Sequence, residues 1–152
     1  MKRILAAAIV MAFFFAVGAA GTVHAATLDE AKALAEKAAA FWKANGQEKA
    51  VAEINNPKGQ FTRGELYVTA GTFAGLHLAN GGNPKLVGIN LLEQKDPTGK
   101  LYVKDLIAAA KKGGDWVDFS WANPATKKVQ PKRVWATRVP GEDVYIACGL
   151  FK

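Results

Sequence analysis

The chain has 152 residues, half of them hydrophobic, and 20 Lys and Arg against 13 Asp and Glu give a net charge of +7. That length is enough for one domain to bury a core without staples, and a single cysteine, Cys148, excludes an internal disulfide. The basic residues are scattered, with no arginine-rich cluster interleaved with aromatics. Nucleic acid is therefore excluded as a partner, and an anionic small ligand or surface suits the charge better.

At the start, Lys2 and Arg3 precede an apolar run over residues 4–20, and Val23 and Ala25 occupy the −3 and −1 places of a small-residue cleavage site. This is the pattern of a secretory signal over residues 1–25, leaving 26–152 as one exported domain, periplasmic or secreted. The run is also near the shortest length that spans a bilayer, so an uncleaved membrane anchor is the alternative.

Thr27-Leu28-Asp29-Glu30 has the form of a capping box. Leu34, Ala38 and Phe41, widened by Ala31, Ala35 and Trp42, then give a helix one apolar stripe, and Gly46 ends it. Asn45 with Glu48 repeats the cap pattern for a second, short helix carrying Ala50, Val51 and Ile54, which Pro57 terminates. Strands are predicted over 66–72 and 76–79, followed by the turn Gly81-Gly82-Asn83-Pro84. Asp96-Pro97-Thr98-Gly99 is a second turn, and residues 101–112 form a helix with Tyr102, Leu106 and Ala109 on one side.

The last third is strand and turn. Residues 116–121 alternate, with Val117, Phe119 and Trp121 on one face and Trp116, Asp118 and Ser120 on the other. Strands over 129–139 and 144–151 follow. Short connections between strands imply an antiparallel sheet, and segregated helices make the fold α+β.

Catalytic and cofactor motifs are missing. There is no His-Glu-x-x-His, Cys-x-x-Cys, phosphate-binding glycine loop or Gly-x-Ser-x-Gly elbow, so no cofactor, no metal and no enzymatic activity are expected. His77 reads as a surface or packed histidine, and Cys148, in an apolar stretch, as a buried thiol. The carboxylate pairs Asp29-Glu30 and Glu142-Asp143 read as structural, in a first helical turn and a loop.

Several segments, in this order, carry a family likeness: residues 83–91 around Asn83-Pro84-Lys85, the turn at Asp96-Pro97-Thr98-Gly99, the aromatic strand 114–121, Asn123-Pro124 and Pro131-Lys132. The chain resembles the single Cache domains, extracytoplasmic sensor modules of chemoreceptors and histidine kinases that also occur as free exported proteins. The likeness spans the whole segment after the signal. It implies a PAS-like antiparallel sheet of about five strands with the long N-terminal helix packed on it. It also implies sensing of a small molecule, often a short organic acid. With no transmitter domain visible, signalling would pass to a separate partner such as a membrane receptor or histidine kinase.

Matched to the family pattern, the pocket positions are Phe119, Trp121, Lys132 and Trp135, with Tyr67 and Arg138 as further candidates and Arg63 after them. The sequence departs from the family at Phe119 and Trp135, where tyrosine is commoner, and at Asn80, where histidine is common. Those departures leave open a more apolar or larger ligand. On physical grounds an aromatic-lined pocket with one cation suits a small carboxylate. The competing reading makes Phe119, Trp121 and Trp135 plain core and Lys132 a solvated lysine, in a structural or interaction protein whose pocket its own side chains fill.

Overall fold

A computed structural model describes residues 25–152; the signal segment and its anchor alternative lie outside the described residues, apart from Ala25. The first helix, α1 (Leu28–Asn45), opens with the predicted capping box: the Thr27 hydroxyl accepts from Glu30 N, and Glu30 Oε2 accepts from Thr27 N. Its buried residues Ala31, Leu34, Ala35, Ala38, Ala39 and Trp42 recur at helical spacing. Trp42 is fully buried and donates its indole N–H to Glu142 Oε2 at 2.9 Å, so Glu142 is structural as expected. α2 (Gln47–Asn55) follows. Asn45 does not cap it; the N-cap is Gly46, at φ +81°, and the Asn45 amide donates back to Phe41 O. Asn45 is still the last residue of α1, so its side chain bonds within that helix and the cap position falls on Gly46.

The strands are β1 (Thr62–Arg63), β2 (Leu66–Thr72), β3 (His77–Asn80), β4 (Asp115–Ala122), β5 (Val129–Arg138) and β6 (Val144–Phe151). They form one antiparallel sheet in the order β1-β2-β6-β5-β4, with β3 also paired to β2. The sixth strand, the two-residue β1, was not expected; two residues carry no alternation to read. α3 (Tyr102–Lys111) lies across β4, β5 and β6.

Each strand sends alternate residues to opposite faces, so the sheet separates two cores. On one face Val68, Ala70, Val144, Ile146 and Cys148 meet α1 and α2. On the other, Val117, Val134, Ala136, Tyr145 and Ala147 meet Tyr102, Val103, Leu106 and Ile107 of α3. The second face does not close completely, and the space left there is the candidate site.

The loop before α3 is pinned by one side chain. Asp96 is buried, and its Oδ1 accepts from Thr98 N, Thr98 Oγ1 and Lys100 N, while Oδ2 accepts from Ser120 N on β4. Burial alone pushes its carboxyl up, but those hydrogen bonds outweigh it and bring the group down to about 2.

Candidate functional site

A cavity of about 40 Å³ lies between the sheet and α3, bordered by β2, β3, β4, β5 and β6. At roughly 10–15 Å³ per water molecule, it holds a few water-sized groups, which is the scale of a very small molecule.

Lys132 is the charged group of the cavity. The register of β4 and β5 sets it opposite Phe119, on the face that carries Val134 and Ala136. It is only 5% exposed, so it is no solvated strand lysine. Its Nζ donates to Tyr67 Oη at 2.8 Å and lies 4.0 Å from the centre of the Tyr67 ring and 4.7 Å from that of Phe151. No carboxylate pairs with it among the described residues. Burial lowers its pKa to about 8, an effect that the neighbouring Cys148 opposes only in part.

Aromatic rings form the walls. Tyr102 at the start of α3 stacks on Phe119 with ring centres 4.6 Å apart and leans on Trp121 at 5.0 Å. Phe119 and Trp121 thus belong to both alternatives weighed above, as partly buried core and as cavity lining. Two glycines make room for the tyrosines. A Cβ at Gly82 would lie 2.7 Å from the Tyr67 ring, and one at Gly71 would lie 2.7 Å from Tyr145 Oη.

Trp135 and Arg138 do not line the cavity. Trp135 stands three residues after Lys132, and an odd step along a strand turns a side chain to the opposite face. There it packs against the α1 core, beneath Lys32 Nζ at 4.3 Å and beside Trp116. Arg138 shares the face of Lys132 but lies at the far end of β5, where it donates to Glu142 O and pairs with Asp143 at 2.8 Å. Arg63 borders a separate surface groove of about 640 Å³ beside Lys37 and Glu65.

Tyr102, Tyr145, His77 and Asn80 were not among the sequence candidates, yet all four line the cavity. The hydroxyl missing at position 119 is thus offset by the phenols of Tyr67, Tyr102 and Tyr145. Burial raises the pKa of all three, that of Tyr102 to about 12, so they remain neutral donors. Cys148, at the same border, is buried and its thiol is pushed up to about 12 by burial, leaving it unreactive.

A small cavity lined by aromatic and polar side chains, with a buried lysine, thus lies between an antiparallel sheet and α3. Residues 22–151 match the family described as Single Cache domain 2. The chain belongs to the single Cache family. Its fold is similar to a crystal structure of a methyl-accepting chemotaxis protein from Vibrio parahaemolyticus, with TM-score 0.67 and 25% identity over 81% of this chain and 86% of that one. A periplasmic sensor domain of a chemotaxis protein shares the fold at TM-score 0.64 and 20% identity, covering 82% of this chain and 89% of its own. A Cache chemosensory domain described for carboxylic acid recognition does so at TM-score 0.64 and 19% identity, with 82% and 87% covered. No curated protein matches the chain. This Cache domain accordingly has relatives that are sensors and chemoreceptor modules.

Proposed function

We propose that this Cache domain is an exported sensor module that binds a short carboxylate in the cavity beside Lys132 and signals through a separate receptor or histidine kinase. The observation that carries the reading is the Lys132 ammonium, 5% exposed and without a carboxylate among the described residues. Removing a charge from water is unfavourable unless an opposite charge replaces the lost solvation, and a bound carboxylate does that. A charge-assisted hydrogen bond of this kind contributes about 1.5–3 kcal/mol. The cavity size favours acids of two or three carbons, and the carboxylic acid named for one structural relative accords with that chemistry.

The signal-like segment before Ala26 supports export, with a membrane-anchored form as its variant. A thermal-shift screen of the domain against acetate, propionate, pyruvate, small amines and amino acids tests the ligand class. The reading requires stabilisation by the acids that grows with concentration as RT ln(1 + [L]/Kd), and none by amines.

One observation favours the second reading, a protein with a self-filled pocket. The cavity is small, and Tyr67 and Phe151 already surround the Lys132 ammonium. A melting curve that no acid in the screen moves decides for it.

A further inference from the structure

Asn80, on the border of the cavity, is held in one orientation. Its Oδ1 accepts from Gly82 N at 3.0 Å and from Asn83 N at 2.8 Å, and only a carbonyl oxygen can accept from two backbone N–H groups. Its amide nitrogen is therefore the atom that lies 3.0 Å from His77 Nε2. An amide NH2 donates, so Nε2 must accept through its lone pair, and the single proton of a neutral imidazole resides on Nδ1.

That Nδ1–H is buried and has no partner among the described residues, while the ring is only 5% exposed and borders the cavity. Burial also lowers the His77 pKa to about 4, which keeps the ring neutral and its proton on Nδ1 at physiological pH. A buried donor left unpaired is strongly disfavoured, and such groups in folded proteins normally have an acceptor. The tyrosine hydroxyls of the cavity rotate and serve as donor or acceptor, but Lys132 Nζ and His77 Nδ1–H are donors only. Two residues that line one cavity thus carry obligate donors, of which one has a single acceptor among the described residues and the other has none there.

We infer that His77 is the second anchor of the ligand, its Nδ1–H donating to one oxygen of a short monocarboxylate whose other oxygen faces Lys132 Nζ. This rests on the carboxylate reading proposed above and assigns that site a specificity-determining residue, with Asn80 as the positioning residue that fixes its tautomer. A ligand with one acceptor, such as a small alcohol, satisfies only one of the two donors and binds weakly.

The test combines long-range proton–nitrogen NMR of the histidine rings with calorimetric titration of acetate into the full chain, its Lys132→Met variant, and His77→Gln and His77→Phe. In the free protein the His77 spectrum should show a proton on Nδ1 and a lone pair on Nε2, and saturating acetate should move the Nδ1 proton downfield. His77→Phe should weaken acetate at least about tenfold, the loss of one charge-assisted hydrogen bond. Should that variant not fold, His77→Gln and the wild-type spectra give the decision. A proton on Nε2 in the free state, an Nδ1 signal that acetate leaves in place, or unchanged acetate affinity in the folded His77 variants overturns the assignment. Acetate binding that depends on Lys132 but not on His77 removes the second anchor alone. Absence of any acetate binding overturns the carboxylate reading, and the anchor with it.

Discussion

Lys132 Nζ donates to Tyr67 Oη across 2.8 Å of buried space, from β5 to β2, with no carboxylate paired to it among the described residues. A phenol accepts a hydrogen bond but brings no charge, so the ammonium remains electrostatically uncompensated. The stability of the free domain should report that strain.

Replacing Lys132 by Met keeps the length and apolar contacts of the side chain and removes the charge. The ligand-free variant should be more stable than the wild type by about 1–3 kcal/mol at pH 7, since each unit of pKa depression corresponds to about 1.4 kcal/mol. The sign follows from linkage. Between the folded value of about 8 and the ordinary 10.5, the unfolded chain binds more protons at this lysine, so its contribution to stability rises with pH across that window. Cys148 and the three buried tyrosines, whose pKa values burial raises, contribute in the opposite sense in both proteins. Denaturant melts at pH 7 and pH 10 should show the stability advantage of Lys132→Met over the wild type shrinking as pH rises.

His77 yields a second pH dependence, at the acid end. Its pKa falls from 6.5 to about 4 by burial, so the unfolded state takes up the proton first and stability declines as pH drops from 6.5 towards 4. The ionisable groups that share the cavity, Lys132, Tyr67, Tyr102, Tyr145 and Cys148, all keep one protonation state over that range. A folded His77→Gln variant should have a shallower stability profile over this window in the same melts.

Asp96 ties the loop before α3 to the strand that carries Phe119 and Trp121. Asp96→Ala leaves the N–H groups of Thr98, Lys100 and Ser120 without their acceptor and should destabilise the domain by roughly 1–3 kcal/mol. Asp96→Asn should be milder, because one acceptor oxygen remains. Chemical denaturation of both variants checks the order.

Gly82→Ala forces a Cβ to within 2.7 Å of the Tyr67 ring, at a position whose N–H also fixes Asn80. The ring must move, and with it the acceptor of Lys132. Loss of ligand affinity should exceed loss of stability, which parallel calorimetry and thermal melts on this variant would establish.

Features that depend on near neighbours in the chain could be foreseen. The capping box at Thr27, the stripe ending in Trp42 and the alternation of Val117, Phe119 and Trp121 all follow from a local period. Lys132 and Phe119 were brought to one site by the register of a single hairpin. Trp135 departs from the pocket place that the family resemblance implies, because three steps along a strand from Lys132 send a side chain to the other face. His77, Asn80, Tyr102 and Tyr145 come from β3, α3 and β6, and only the tertiary packing of α3 and the sheet brings them to one cavity. One clue was nonetheless available: Asn80 before Gly81-Gly82-Asn83 is the place for a side chain that folds back on its own turn.

The central claim, a carboxylate on Lys132, is tested most directly by calorimetric titration of acetate at pH 8.5 in buffers of differing ionisation enthalpy. A bound anion raises the lysine's pKa from about 8, so binding should take up a fraction of a proton, and Lys132→Met should lose both the uptake and at least about tenfold in affinity. Binding without proton uptake, or equal binding by the Met variant, would contradict it.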